Sequence, residues 1–212
     1  MLSHRQIWVS GILATAFYLI CTALAYFNYP LAYSPLANWL SDLGNPLANP
    51  NGAFWYNLGV VLTGVCLTFF FLGMEIWNDG DKRRRIVLRI TQAMGIISSL
   101  ALIVSALFPL GAQTLMHEIS GKAHIFFVGF FLAFSASLFF RLPRMPKWIP
   151  IFGILAAVIN FIYGVFLFSV YIAEWAAIGA FIVYVLIISG YALKQDAPQA
   201  VTGHGEQVQG LK

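Results

Sequence analysis

Five side chains in this sequence have the types and placement to do chemistry: Asp42, His117, Glu118, His124 and Glu174. Imidazole and carboxylate together suit zinc or iron. A carboxylate beside an imidazole can also act as base and orienter in hydrolysis, or hold a metal-bound water. Asp42, His117 and His124 are therefore the candidate catalytic residues and, equally, the candidate metal ligands. The metal reading carries a geometric condition. If residues 117 to 124 form one continuous helix, a rise of about 1.5 Å per residue sets the two rings about 10 Å apart along the axis, too far to share an ion. Only a break at Ser120-Gly121 brings them together. Ser41, Asn45, Asn57, Glu118 and Glu174 complete a polar cluster, whose plainer reading is a hydrogen-bonded network at helix ends. The chain has no G-x-S-x-G elbow, no H-E-x-x-H and no phosphate-cradling glycine loop with lysine. It also lacks the paired intramembrane carboxylates and centrally broken helices of secondary transporters. Beyond the metal reading, the sequence leaves the cofactor unknown.

The elements that must position these residues follow from composition. With 60% hydrophobic and 9% charged residues, the 212-residue chain cannot hide its apolar surface in a water-soluble core. Six windows approach the length of about 20 apolar residues that crosses a bilayer: Ile7–Phe27, Ala53–Trp77, Ile86–Phe108, Ala123–Phe140, Trp148–Phe168 and Trp175–Leu193. The expected fold is an all-α integral membrane protein, a bundle of six transmembrane helices over residues 1–194. A polar, aperiodic tail over 195–212 is expected to be disordered and cytoplasmic. The formal charge of +4 does not point to nucleic acid, because the basic residues alternate between the ends of the apolar runs. Arg5, the Lys82–Arg85 cluster, Arg89, Arg141, Arg144, Lys147, Lys194 and Lys212 all fall on one side, and only Lys122 of the 12 lysines and arginines falls on the other. By the positive-inside rule the protein is a multi-pass cell-membrane protein with both termini cytoplasmic, and the five reactive side chains gather at the outer face. Cys21 and Cys66 lie at different depths on neighbouring helices, so no disulfide is expected between them.

The connection Tyr33–Gly52 has a pattern of its own. Ser34 suits an N-cap, Pro35 the first helical position and Gly44 the residue past a C-terminus, so the pattern predicts a short amphipathic helix over 35–43 on the outer surface between the first two spans. Leu36, Trp39, Leu40 and Leu43 share its apolar face, while Asn38, Ser41 and Asp42 oppose them. A carboxylate at so apolar a surface needs a donor, and His117 or His124 is the expected partner of Asp42. In the third span Gly95-x-x-x-Ser99 predicts close helix packing, and Asn160 in the fifth predicts a hydrogen bond across a helix interface.

Ser41-Asp42-Leu43-Gly44-Asn45-Pro46, Asn51-Gly52-Ala53 leading into Asn57-Leu58-Gly59, Gly95, Phe108-Pro109, His117 and His124-x-Phe126-Phe127 together resemble the prokaryotic membrane family called domain of unknown function 998. The S-D-x-G cap is more distantly similar to the six-helix DRAM/Frag/Sfk group. The resemblance implies a six-helix fold with a polar outer cap and no assigned activity. Two functions fit. One is a non-enzymatic accessory or lipid-organising protein that uses its outer cap, with membrane lipids, a larger membrane complex or a second copy of itself as partner. The other is a lipid-directed membrane hydrolase, metal-dependent or not, with Asp42 and His117 at the outer face.

Overall fold

The computed structural model describes residues 4–209, with side chains to residue 196. Its helices are α1 (His4–Phe27), α2 (Ala53–Gly73), α3 (Lys82–Leu107), α4 (Thr114–Phe140), α5 (Trp148–Phe166) and α6 (Tyr171–Gln209). No strand occurs among the described residues. All six helices are long and apolar enough to cross a membrane, α6 through Tyr171–Asp196, as expected of a multi-pass membrane protein. The tail predicted over 195–212 lies, beyond Asp196, outside the residues whose side chains are described.

Four helices begin earlier than their apolar windows, α1, α3, α4 and α6, and for α3 and α4 the reason is local. The Asp81 carboxylate accepts the Arg84 N–H at 2.8 Å, an N-cap that lets the good helix formers Lys82 to Arg85 join α3. Thr114 starts α4 nine residues ahead of Ala123, so His117 and Glu118 are helical and α4 runs unbroken through Ser120-Gly121.

Each helix packs on its neighbour in sequence, and α6 closes the ring against α1. Gly95 admits the ring of Phe71 from α2, where an added Cβ would stand 2.5 Å from it, and Ser99 Oγ lies 2.8 Å from Thr68 Oγ1 one turn on. Asn160 Nδ2 donates to Ala177 O at 3.2 Å and ties α5 to α6. These contacts meet the packing expectations for α3 and α5. Cys21 and Cys66 are free thiols.

The bundle has two unlike ends. At the end carrying the basic connections, Phe70, Phe71, Met74, Phe131, Leu138 and Phe139 are fully buried in one apolar cluster. Arg84–Asp79 and Arg89–Glu75 ion pairs, both at 2.8 Å, decorate its surface. At the other end the connection between α1 and α2 folds over the ring as a cap.

The cap departs from the single helix predicted over 35–43. Residues 35–37 form one turn closed by Ala37 and Asn38 N–H donating to Ser34 O, the chain bends at Asn38, and a 3₁₀ turn follows over Leu40–Gly44. Side chains compete with the helix for backbone groups. Asn38 Oδ1 accepts the Ser34 N–H at 3.0 Å, and Asp42 Oδ2 accepts the Trp39 N–H at 2.9 Å while Trp39 stays extended at ψ 145°. Of the predicted apolar face, Leu40 and Leu43 are buried and Trp39 half-buried, but Leu36 is exposed. Gly44 has no left-handed backbone. It is small because Asn57 and Tyr56 of α2 press on it, each within 2.6 Å of where a Cβ would stand.

Candidate functional site

The cap is fastened from three directions. Asn49, fully buried, donates from Nδ2 to Ala25 O at 3.1 Å and Leu43 O at 2.9 Å, while its Oδ1 accepts the Gly52 N–H. Asn57 Nδ2 donates to Gly44 O at 2.8 Å. The third fastening comes from 134 residues away: the Leu40 N–H donates to Glu174 Oε2 at 2.6 Å. Glu174 therefore caps the 3₁₀ turn in trans, supplying the acceptor that first-turn amides need. Tyr171 and Trp175 flank it on the first turn of α6. The Tyr171 ring meets Trp39 at 4.5 Å between centroids, and Trp175 Nε1 donates to Asn38 O at 3.5 Å.

Beneath the cap the ring of helices encloses a chamber of about 370 Å³, within the range of small-molecule sites. Toward the cap its lining carries Ser41, Asn57, Ser105, His117 and Glu174, with the Tyr18, Tyr56 and Tyr163 rings between them. Deeper it is mostly apolar, from Val60, Leu67, Leu102, Ile125, Phe181 and Ile182, with Thr63 and His124 set among them. Tyr18 and Tyr56 pack edge to face with centroids 6.4 Å apart. The Tyr18 hydroxyl is buried and has no hydrogen-bond partner. Glu118 and Lys122, paired at 3.2 Å and both half-exposed, also line the chamber, and Lys122 Nζ sits 5.0 Å over the Phe168 ring.

Both histidines are set by one repeated device. His117 Nδ1 lies 2.9 Å from Ser105 O, and His124 Nδ1 lies 3.1 Å from Ser98 O and 2.9 Å from Ser98 Oγ. A carbonyl can only accept, so Nδ1 carries the proton in each ring and Nε2 is left free of that contact. The two histidines are seven residues apart on α4 and the two serines seven apart on α3. Antiparallel neighbours with equal spacing therefore make the same contact twice. The signal was present in the sequence as two matching i, i+7 pairs, although Ser98 and Ser105 read singly as packing residues.

The expected partnership of Asp42 is overturned. Its carboxylate turns back to the Trp39 N–H, and among the described residues it forms no hydrogen bond or ion pair with His117 or His124, whose Nδ1 atoms are held by α3. Burial raises the Asp42 carboxyl above its ordinary pKa, and the Trp39 N–H offsets part of that rise. The physical reason is proximity: an amide three residues away satisfies the carboxylate at less entropic cost than a ring on another helix. With α4 continuous the two rings stay about two turns apart, and among the described residues no three His, Cys, Asp or Glu side chains gather in a form that could hold a metal ion. His117, His124, Ser41, Asn57, Glu118 and Glu174 do converge on the chamber, whereas Asp42 and Asn45 do not line it. Asn45 instead accepts the Leu47 N–H at 2.9 Å and packs its amide on Gly111, whose lack of a side chain leaves room for it. Tyr18, Tyr56 and Tyr163 were not singled out as site residues; each reads as membrane-interface or core aromatic until its helix is placed.

A family model described as "Protein of unknown function (DUF998)" matches residues 12–192, and the chain belongs to this family. No curated protein and no solved structure matches the chain.

Proposed function

We propose that this DUF998 member is a non-enzymatic, lipid-organising protein of the cell membrane that receives the polar end of a membrane amphiphile in the chamber beneath its cap. The cap faces outward and both termini are cytoplasmic. The observation that carries this reading is the chamber itself, a volume of about 370 Å³ whose polar side chains gather mostly toward the cap and whose deeper lining is mostly apolar. Such a graded lining matches a molecule with a polar end and an apolar body. The surroundings agree with it. Leu31, Leu36, Leu47 and Phe54 are exposed on or beside the cap, where apolar side chains fit the headgroup level of a bilayer rather than open water. Among the described residues, ten of the eleven lysines and arginines lie toward the opposite end, which supports the orientation. A hydrolase built on Asp42 and His117 has less support, because Asp42 is engaged within the cap.

The test uses lipid that travels with the protein. After extraction in a mild detergent, mass spectrometry is expected to find one amphiphile class enriched over the bulk membrane. Gly121 lines the chamber with nothing within 4 Å of where its Cβ would stand, so Gly121→Phe should fill the chamber and remove that enrichment without unfolding the bundle. Bulk lipid composition on both proteins would sink the proposal. A reporter fused after Lys212 should remain cytoplasmic; export of that reporter would reverse the orientation.

A further inference from the structure

We infer that the molecule received by the chamber carries an ammonium group at its polar end and a hydrocarbon tail that lies in a second groove, between α4 and α5. This rests on the chamber being a ligand site, as proposed above, and adds the ligand's charge and shape.

Charge balance carries the first half. Glu174 is 8% exposed and lines the chamber. Its partner is the neutral donor Leu40 N–H, and among the described residues no lysine, arginine or histidine forms an ion pair with it. Lys122, the one lysine or arginine at the cap end among the described residues, pairs with Glu118 at 3.2 Å. A carboxylate so enclosed is stabilised most by a cation that brings its own charge. The walls beside it are the faces and edges of Tyr18, Tyr56 and Tyr163, and aromatic rings next to a carboxylate are the chemistry that recognises ammonium. The Tyr18 hydroxyl supplies an independent pointer. It is 7% exposed, lines the chamber and has no partner, so its oxygen is free to accept from an ammonium N–H. An anionic head would meet Glu174 with no free cation to offset it.

Continuity carries the second half. A groove of about 470 Å³ runs between α4 and α5, lined by Phe126, Phe127, Phe161, Gly164 and Val165. It shares Lys122, Ile125 and Phe168 with the chamber. The two spaces are thus separated by one layer of side chains, of which Lys122 and Phe168 are in cation–π contact. A molecule whose head occupies the chamber and whose chain parts this layer lays its tail in the groove.

The test measures binding of dodecylamine, dodecanol, dodecanoate and ethanolamine to the purified full-length protein in maltoside detergent, by native mass spectrometry and thermal shift. Dodecylamine should bind roughly tenfold or more tighter than dodecanol or dodecanoate, and Glu174→Gln, which keeps an acceptor for the Leu40 N–H, should abolish that preference. Ethanolamine, which lacks the tail, should bind roughly tenfold or more weakly than dodecylamine. Tyr18→Phe loses no internal hydrogen bond, so it should weaken dodecylamine binding with the melting temperature unchanged, and it serves if Glu174→Gln does not fold. Equal binding of dodecylamine and dodecanol, or an unchanged preference in both variants, overturns the ammonium assignment. Equal binding of ethanolamine and dodecylamine overturns the tail assignment. If all three long-chain probes bind equally and all are lost in Gly121→Phe, the chamber reading survives and the ammonium inference falls. If Gly121→Phe binds dodecylamine as well as the native protein does, the chamber reading itself falls.

Discussion

The two ends of this bundle are made from similar rings and put them to opposite uses. At the basic end Phe70, Phe71, Phe131 and Phe139 interlock with Leu138 and Met74 until all six are fully buried, the close packing expected of a protein interior. At the cap end the rings are Tyr18, Tyr56 and Tyr163, accompanied by Ser105, His117, His124 and Glu174, and they surround open volume. A void in a core costs about 24 cal/mol per Å³ when nothing refills it. The same chain fills one end and leaves the other hollow, with a buried hydroxyl unpartnered there. Shape maintenance accounts for the first end, and the ligand binding proposed above would account for the second.

The sharpest test of that contrast is truncation at each end. Phe71→Ala should cost about 3–5 kcal/mol, because the ring fills the space over Gly95 and touches Phe131 at 4.7 Å between centroids. Ile178→Ala, on the chamber wall, should cost less than half as much, since one side of it already faces open volume. Equal losses in detergent melting curves would erase the distinction between a packed and a hollow end.

Next in size is the trans cap. Glu174→Ala leaves the Leu40 N–H without its acceptor at a residue only 2% exposed, and should cost about 1–3 kcal/mol. The loss should be local, seen as faster hydrogen exchange and protease cleavage within residues 33–52 while the packed end stays protected. Glu174→Gln should lose only part of it. Uniform loosening of the whole bundle would mean that Glu174 does more than hold the cap.

Two glycines sharpen the comparison further. Gly121→Ala, into open space at the chamber, should stabilise by about 0.5–1 kcal/mol through helix propensity. Gly95→Ala, at the packed end, places its Cβ 2.5 Å from the Phe71 ring and should destabilise. Opposite signs in parallel melting experiments are the expected outcome.

The smallest effect concerns Asp42 and pH. Burial raises its carboxyl in the folded protein, so the folded state binds the proton more tightly than the unfolded chain does. Stability should therefore decline as pH rises from the ordinary carboxylate value of 3.8 through the raised folded value, and level off above it. Asp42→Asn should flatten this slope, measured as the difference between the two proteins' melting temperatures across that window. A slope of the opposite sign would place a cation beside Asp42 after all.

Much of the architecture is a property of the sequence alone. Six apolar runs separated by short polar connections leave little choice but a multi-span helical bundle, because backbone groups in hydrocarbon must be satisfied within each segment. The seven-residue spacing of His117 and His124 sets what they can share once the continuity of their helix is known, and that continuity is a finding of the structure. What tertiary structure decided is the partner of each polar group. Asp42 reads as the carboxylate seeking a histidine, yet local amides claim it; Glu174 reads as one acid at a helix start, yet the closure of α6 against α1 carries it under the cap to serve Leu40. Ser34, Pro35 and Gly44 spell a helix by local preference, and side-chain hydrogen bonds together with the close approach of Asn57 and Tyr56 break it into two turns. Periodicity records which face of a segment avoids water, since that depends on the segment's own residues. Hydrogen-bond partners across 134 residues depend on where the chain returns, and only the folded ring sets that.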